Sequence, residues 1–363
     1  MAELSKERIE EAIKGYVEPH LGKDLVSAGC VKGVDIDSDG VKVKVELGFP
    51  AAGIREALET TLKGLVERVG GVAGAEVEVT WKISAHSVQK SLKPIDNVKN
   101  IIAVASGKGG VGKSTTSVNL ALALAAEGAK VGVLDADIYG PSQPRMLGVS
   151  GQPESKDGKT LEPMTSHGLQ AMSIGFLIDE ETPMIWRGPM VTQALEQLLN
   201  DTNWDSLDYL VIDLPPGTGD TQLTLAQKVP VSGAVVVTTP QDIALLDARK
   251  GFKMFEKVEV PVLGIVENMS IHICSSCGHE EHIFGEGGGR RMAEQYGVNF
   301  LGALPLDIRI REETDGGKPT VVAEPEARIS QIYREIARKT TAKLAMQAKS
   351  YAAKFPNIVI QNN

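Results

Sequence analysis

The sequence predicts an α/β protein in which a mostly parallel, doubly wound sheet is preceded by a small α+β domain. The first observation is that short, continuous apolar runs alternate with helical patterns after residue 100. The second is that the first 84 residues follow the order helix, strand, strand, helix, strand. The third is that a glycine-rich loop separates the first apolar run from the first helical pattern of the larger region.

Composition and charge indicate a soluble protein and argue against a secreted, membrane-spanning or nucleic-acid-binding one. The chain of 363 residues is 42% hydrophobic and 23% charged, which is typical of a soluble globular protein. Its net charge of −9 argues against nucleic acid as the main partner. The start "MAELSKERIEEAIKGY" lacks a signal-peptide pattern, no apolar run reaches the roughly 18 residues of a membrane span, and three cysteines suit a reducing compartment. We therefore expect a cytoplasmic protein that binds neither nucleic acid nor membrane.

The small domain is expected at residues 1–84. Helical spacing of Ile9 and Ile13 predicts the first helix, and alternation in "CVKGVDID" and "GVKVKVEL" around "DSDG" predicts a hairpin. "AGIREALETTLKGLVERV" predicts a second helix, and "AEVEVTWKI" a last strand. Residues 85–99 show no clear period and are interpreted as a linker or edge segment.

The large domain is expected at residues 100–350, with a tail at 351–363. Its predicted strands are "NIIAVAS", "KVGVLDAD", "LDYLVIDLP", "GAVVVTTP", "VPVLGIVENM" and "NFLGALPL". Residues 150–168 are polar and contain glycine and proline, so we expect an exposed excursion there. The last helix has an apolar side that we expect to pack on the sheet, formed by Ile329, Ile332 and Ile336.

The glycine-rich loop "GKGGVGKST" matches the P-loop pattern through Gly107, Gly112, Lys113 and Ser114. Its context, after a predicted strand and before a predicted helix, supports the match. Glycines let successive backbone amides point at a phosphate, and the helix N-terminus adds partial positive charge. We expect Lys113 to bind the β- and γ-phosphates of ATP and the Ser114 hydroxyl to bind Mg²⁺, with Thr115 beside them.

Acidic residues end two other predicted strands. Asp213 in "LDYLVIDLPPGTGD" stands where a Walker B aspartate would hold Mg²⁺ through water, and the segment behind it is a candidate switch loop. Asp135 and Asp137 follow "VGVL". We expect Asp137 to orient the attacking water and Asp135 to support Mg²⁺. The alternative for this pair is turn formation and helix capping.

Lys108 is a second lysine inside the loop. With it, the loop resembles the deviant Walker A loop of the superfamily that includes MinD, ParA, ArsA and the nitrogenase iron protein. The resemblance implies a homodimer in which Lys108 reaches the partner's nucleotide. Together with the roles expected above for Lys113 and Asp137, this makes Lys108, Lys113 and Asp137 the candidate catalytic residues. It also implies nucleotide binding along the whole loop, that is, by Gly107, Lys108, Gly109, Gly110, Val111, Gly112, Lys113, Ser114 and Thr115.

Cys274 and Cys277 form one C-x-x-C pair, whereas a tetrahedral sulfur site takes four ligands. Two copies related by a two-fold axis would supply four thiolates. By count, these fit a [4Fe–4S] cluster or Zn²⁺ equally well. In a second arrangement, one chain binds Zn²⁺ alone through the two cysteines together with His279 and His282.

Motifs in order from "GKGGVGKST" through "DADIYGPS", "DLPPGTGD", "TTPQDIAL", "ENMS" and "FGEGGG" to "LGALPLDIRIRE" resemble the Mrp/ApbC group of iron–sulfur cluster carrier ATPases. The resemblance covers about residues 98 to 340. It favours a [4Fe–4S] cluster over zinc and implies transfer to apo iron–sulfur proteins, with assembly factors as further partners. By analogy with related ATPases, Asn268 would hydrogen-bond adenine and Pro305 would pack against the base.

The first region is similar to the iron–sulfur-assembly domain that often precedes such ATPases. That domain often has a cysteine after its second strand, where this chain has "ELGFPAAGI". Cys30 lies before the hairpin instead, and we interpret it as a buried structural thiol.

Two other functions fit parts of the pattern. A positioning or partition ATPase with a structural zinc knuckle would use basic residues of the last helix, such as Arg334 and Arg338, on a membrane or DNA. A redox reductase similar to the nitrogenase iron protein would instead hold its cluster for electron transfer. Arg187 in "RGPM" has no role that the residues themselves suggest.

Overall fold

A computed structural model describes residues 4–37, 40–89, 92–178, 188–274 and 276–347. The small domain has a three-stranded sheet covered by two helices. Its central strand buries alternate residues, as its sequence alternation predicts. The elements of this domain are α1 (Lys6–Lys14), β1 (Val17–Glu18), β2 (Lys23–Asp24), β3 (Val31–Ile36), β4 (Val41–Leu47), α2 (Arg55–Glu67) and β5 (Ala75–Trp81).

Strands β3 and β4 form the predicted antiparallel hairpin, whereas β4 and β5 pair in parallel because α2 connects them. Cys30 lies just before β3 and is 7% exposed, in agreement with a buried thiol.

The large domain is built on an eight-stranded sheet, which confirms the predicted fold class. Every neighbouring pair is parallel except β8 and β9. Across the sheet the order is β15-β12-β11-β6-β10-β7-β9-β8. Its strands are β6 (Val98–Ala105), β7 (Val131–Asp135), β8 (Met164–Ser166), β9 (Leu169–Ser173), β10 (Leu207–Asp213), β11 (Gly233–Thr238), β12 (Val262–Glu267) and β15 (Asn299–Ala303), and a separate hairpin consists of β13 (His272–Ile273) and β14 (Glu280–Glu281).

Helices connect the strands of this sheet and cover it. They are α3 (Lys113–Ala126), α4 (Gln143–Met146), a 3₁₀ helix (Ile174–Phe176), α5 (Gly188–Asn200), α6 (Asp220–Lys228), α7 (Asp242–Lys257), α8 (Gly288–Tyr296), α9 (Ile308–Asp315), α10 (Thr320–Ala323) and α11 (Arg328–Ala345). α3 is apolar on nearly every side and lies buried between the sheet and α11.

The structure corrects part of the sequence analysis at the outer edge of the sheet. The segment 150–168 is largely exposed, but its end forms β8, which pairs with β9 as the edge of the sheet. Strand β9 and helices α5 and α9 were not predicted. β9 has the sequence LQAMS, in which Gln170 and Ser173 interrupt the apolar residues, so it shows no continuous apolar run.

The segment between the domains is partly buried rather than extended through solvent. The side chain of Gln89 is buried and donates a hydrogen bond of 2.9 Å to the carbonyl oxygen of Ala226. The backbone N–H of His86 donates one of 3.0 Å to Asn100 Oδ1. β6 itself begins at Val98.

The last helix packs on the sheet through the predicted apolar side, since Ile329 and Ile336 are buried and Ile332 is partly so. Arg334 and Arg338 point inward, to the buried carboxylate of Glu127, rather than forming an open basic face. Within the described residues, no helix is both long enough and apolar enough to cross a bilayer. The expected tail, 351–363, lies outside the described residues.

Candidate nucleotide and cysteine sites

Sheet register brings the candidate acidic residues to the phosphate loop. Strand β10 lies between β6 and β7, so its last residue, Asp213, is aligned with Val104 on one side and Asp135 on the other. The phosphate loop begins at Gly107, three residues after Val104. Because parallel strands end at the same edge of a sheet, both carboxylates lie beside this loop.

The loop itself needs glycine at several positions. Gly110 and Gly112 have φ of 81°, a left-handed conformation that other residues rarely adopt. Gly107 packs so closely on α7 that a Cβ would lie 2.1 Å from the carbonyl carbon of Asp247. Helix α3 then begins at Lys113, so its first amide groups face the loop.

Asp213 is fully buried and forms three side-chain hydrogen bonds. Lys113 Nζ lies 2.5 Å from Oδ1, and the Ser117 hydroxyl donates to the same oxygen at 2.9 Å. The amide of Gln143 donates to Oδ2 at 3.0 Å and also to the carbonyl oxygen of Ser114 at 3.2 Å. Gln143 therefore joins the carboxylate to the first turn of α3.

Asp135 is also fully buried, but its carboxylate accepts hydrogen bonds from backbone amides rather than from the side chains that hold Asp213. Its Oδ2 accepts hydrogen bonds from the backbone amides of Ser142 and Gln143, at 2.8 and 2.9 Å, and Oδ1 accepts one from Asp137 N at 3.1 Å. Burial, together with the neighbouring charge of Asp213, raises the pKa of Asp135 to about 7. These bonds hold the turn that follows β7. Asp135 therefore fits both roles considered for it from the sequence: forming this turn, and supporting Mg²⁺.

A cavity of about 260 Å³ opens above the loop. Asp137 lines it, and burial raises the pKa of this carboxyl, although the charge of Lys113 opposes the shift. Mg²⁺ takes oxygen ligands, so the Ser114 hydroxyl and the buried carboxylate of Asp213 fit that ion by chemistry. The cavity is lined by Ser106, Lys108, Gly109, Gly110, Gly112, Lys113, Ser114, Thr115, Asp137, Gly140, Ser142, Met146 and Pro216.

Two residues expected beside adenine lie outside this lining. The amide Nδ2 of Asn268 donates a hydrogen bond of 2.9 Å to the carbonyl oxygen of Val111, so in this structure Asn268 holds the loop itself. Pro305 follows β15, between two residues whose amides donate to Glu267 O and Ile271 O. It is therefore placed near the end of β12 and near Asn268.

The cysteines lie on a small exposed hairpin after β12. β13 and β14 form two rungs, and the turn between them is held by hydrogen bonds from Cys274 N to His279 O and from Gly278 N to Cys274 O. Both thiols are free; Cys274 is partly exposed and Cys277 is exposed. Hydrogen bonds from the backbone amides of Cys277 and Ser276 lower the pKa of the Cys274 thiol.

The histidines around the hairpin have other contacts. The Nδ1 atom of His272 lies 3.1 Å from Leu306 O, and that of His282 lies 2.8 Å from Ser270 O. His279 is exposed and faces Glu281 at 3.6 Å. Across the part of the chain that the structure describes, no three His, Cys, Asp or Glu side chains come together as a metal site. The one-chain zinc arrangement is therefore not assembled in this structure.

Sequence reasoning missed the polar residues that support the acidic ones. Ser117 and Gln143 hold Asp213, and Ser142 lines the cavity with a buried hydroxyl oxygen that has no described partner. The sequence places Gln143 shortly after "DAD", which is a weak signal. It does not show that the side chain reaches Asp213 on the neighbouring strand. Arg187 lies outside the described residues.

Comparison with known proteins gives matches over both regions. A family model described as NUBPL iron-transfer P-loop NTPase matches residues 97–341, and one described as iron-sulfur cluster assembly protein matches residues 6–79. An iron-sulfur cluster carrier protein from Pseudomonas fragi is 60% identical over 278 residues, which is 76% of this chain and 97% of the relative. The protein of that name from Escherichia coli K12 is 51% identical over 358 residues, 96% of this chain and 97% of the relative.

Among solved structures, a nucleotide-binding protein of Archaeoglobus fulgidus in complex with ADP is 40% identical. It aligns with a TM-score of 0.56 over 64% of this chain and 90% of that chain. The family match covers more than half of the chain, and the carrier proteins are similar over most of their length. The chain therefore belongs to the family of NUBPL iron-transfer P-loop NTPases.

Proposed function

We propose that this protein is an ATP-hydrolysing iron–sulfur cluster carrier that holds a [4Fe–4S] cluster between two copies of the chain and transfers it to apo-proteins. The observation that carries the proposal is the exposed pair of free thiols at the same sheet edge as the phosphate loop. The relatives named as cluster carriers support it. The cluster is the cargo, so an exposed and incomplete thiol site suits its release.

A homodimer would complete the thiol site. Each chain contributes Cys274 and Cys277, and two chains related by a two-fold axis contribute four sulfur ligands. Large apolar side chains are exposed on α7 and on the hairpin segment, which favours burial against a second copy. They are Ile243, Leu246, Ile273 and Ile283.

Lys108 supports the same arrangement. It is exposed at the rim of the cavity, and within the described ranges its ammonium has no ion-pair partner. Lys113, by contrast, is 6% exposed and engages Asp213. We assign Lys113 to the nucleotide of its own chain and Lys108 to the phosphates of the partner's nucleotide, where an added cation stabilises the charge that develops during hydrolysis.

The residues of the cavity support phosphoryl transfer to water. Lys113 can exchange Asp213 for phosphate oxygens when the triphosphate enters, and loop amides then bind the remaining oxygens. Ser114 and Asp213 would hold Mg²⁺, which neutralises phosphate charge. Asp137 lines the cavity and is placed to orient the attacking water. The backbone of Gly217 donates to Ser106 O at 2.9 Å, which ties the candidate switch loop to the start of the phosphate loop.

The proposal is tested by anaerobic reconstitution with iron and sulfide, followed by metal and sulfide analysis and sizing. We expect about four iron and four sulfide per dimer, as a [4Fe–4S] cluster requires. The variant C274A/C277A should lose both, and Cys30→Ala should keep both because its thiol is buried in the small domain. Transfer to an apo-protein, followed by the recovery of that protein's activity, tests the carrier step.

One zinc per chain without sulfide would contradict the proposal and would favour a structural metal site. A stable cluster that resists transfer but undergoes reversible one-electron reduction would instead favour a reductase.

A further inference from the structure

A chain of contacts leads from the phosphate loop to the cysteine hairpin. It starts at Asn268, which is 8% exposed and directly follows β12. Its side chain donates to the carbonyl oxygen of Val111, inside the loop, and it packs so closely that a Cβ on Gly112 would lie 2.1 Å from Nδ2. Any rearrangement of the loop at this point must therefore move Asn268 or break its hydrogen bond.

The next two residues, Met269 and Ser270, continue the connection, and both are held by hydrogen bonds. Met269 has φ of 54°, a left-handed conformation that is unusual for a side chain of this size, and its amide is held by Asn268 Oδ1 at 2.9 Å. Ser270 is 6% exposed, and both its backbone amide and its hydroxyl donate to Leu304 O at 3.0 Å. A short, fully bonded segment transmits displacement better than a mobile loop.

His282 joins this segment to the far strand of the hairpin. Its Nδ1 atom lies 2.8 Å from Ser270 O. A carbonyl oxygen only accepts hydrogen bonds, so Nδ1 carries the proton and donates. His282 directly follows β14, which pairs with β13 on the other side of the cysteine turn. The bond therefore closes the base of the hairpin onto the residue two places after Asn268.

We infer that His282 is a positioning residue that couples the phosphate loop to Cys274 and Cys277, by fixing the base of their hairpin to the strand end that Asn268 ties to that loop. The inference rests on the proposed function of the hairpin as the cluster site. Through this bond, the nucleotide state changes the exposure and spacing of the two thiols.

The two neighbouring histidines do not have this connection. The side chain of His279 is exposed, and within the described residues its ion pair is with Glu281, in the hairpin itself. His272 lies on β13 and bonds Leu306 O, so it anchors the first strand to the loop after β15. His279 is thus a matched control for His282: the same residue type in the same hairpin, without a bond to the strand end.

The test uses alkylation of the full-length chain by iodoacetamide with no metal added, resolved peptide by peptide in a mass spectrometer. Rates for the Cys274–Cys277 peptide are compared without nucleotide and with a non-hydrolysable ATP analogue. We expect wild type to show a rate ratio of about five or more, the lower range of ordinary coupling between sites. Cys30 in the same digest is an internal reference.

His282→Ala should bring this ratio close to one, while His279→Ala should keep the wild-type ratio. Nucleotide affinity, measured with a fluorescent analogue, should not change in either variant. Asn places an amide donor near the position of Nδ1, and Gln places it near Nε2, so His282→Asn should restore the ratio and His282→Gln should not. If His282 only stabilised the fold, His282→Asn and His282→Gln should give the same alkylation rate ratio.

The inference is overturned if His282→Ala keeps the wild-type ratio, or if wild type shows no response to nucleotide. The outcome is independent of cluster binding, because the measurement needs no iron. A normal alkylation response in a protein that binds no cluster would therefore leave the coupling intact and contradict the proposed function alone.

Discussion

Glu127 and Arg338 form a buried ion pair, Oε1 to Nη1 at 2.6 Å, where the two domains meet. Glu127 is the residue that follows α3, the helix that begins at Lys113 of the phosphate loop. Its second oxygen accepts a hydrogen bond of 2.9 Å from Gly53 N of the small domain. Arg334 donates to the first oxygen at 2.7 Å. One carboxylate therefore joins the small domain, the phosphate-loop helix and the last helix.

Replacing Glu127 by Gln or Ala should destabilise the protein strongly, because the partly buried Arg334 loses its carboxylate partner and the buried Arg338 keeps only Glu335. We expect a loss of about 3 to 5 kcal/mol in the free energy of unfolding, measured by denaturant titration. Glu256→Ala, which removes an exposed pair with Lys253, is the control and should change stability by less than about 1 kcal/mol. Equal effects in the two variants would contradict this account.

His20 should make stability depend on pH in the alkaline range. Burial opposes its charge, but hydrogen bonds to Glu18 and Glu335 raise the pKa of His20 from 6.5 to about 9. Because the folded pKa is the higher one, this contribution is complete below about pH 6.5 and is lost as the pH rises through 9. The hydrogen bond from His20 lowers the pKa of Glu335 from 4.5 to about 2, so its part is complete above 4.5 and is lost as the pH falls through 2.

Both contributions are therefore complete between pH 4.5 and 6.5. Wild type should lose on the order of 2 kcal/mol more than His20→Gln between pH 6.5 and 9. Unfolding titrations at the two pH values measure this difference. Parallel pH profiles for the two proteins would show that His20 is not charged in the folded state.

Gly112→Ala should prevent normal nucleotide binding. The residue has φ of 81°, and its new Cβ would meet Asn268 Nδ2. The loop must shift to relieve both strains, so we expect at least a tenfold weaker affinity for a fluorescent ATP analogue. Gly140→Ala, at the same cavity, meets open space and should bind within about twofold of wild type. If Gly140→Ala lost as much affinity for the analogue as Gly112→Ala, the loss could not be assigned to the backbone conformation of the phosphate loop.

Gln143→Leu should slow ATP hydrolysis while leaving ATP affinity nearly intact. Its side chain is 1% exposed and holds Asp213 and the first turn of α3 together. A hydrogen bond to a charged group contributes about 1.5 to 3 kcal/mol, so we expect kcat to fall tenfold or more. Steady-state ATPase assays give kcat and KM separately. Gln170→Leu, at the surface bond to Asp205, serves as the control. An unchanged kcat would mean that Asp213 keeps its orientation without Gln143.

The sequence predicts residues that belong to local motifs, but it does not predict contacts between residues far apart in the chain. Lys113, Asp135 and Asp213 could be predicted because each stands in a recognisable local motif: Lys113 begins the helix after the glycine-rich loop, and the two aspartates end apolar strands. Asp213 is held by Ser117 and Gln143, which are 96 and 70 residues away, and only the sheet order reveals that contact. The charges at the domain interface are farther apart still, since His20 meets Glu335 across 315 residues. Local periodicity cannot predict such pairs.

The last helix also completes the hydrophobic core of the first domain, because the fully buried Ala342 packs among that domain's apolar residues. During synthesis the ribosome makes the small domain well before α11. The small domain must therefore remain unfinished while most of the large domain is translated, with part of its apolar surface open to chaperones or to wrong contacts. A stalled or shortened chain that stops before residue 328 would lack this closing piece and also both arginines that neutralise Glu127.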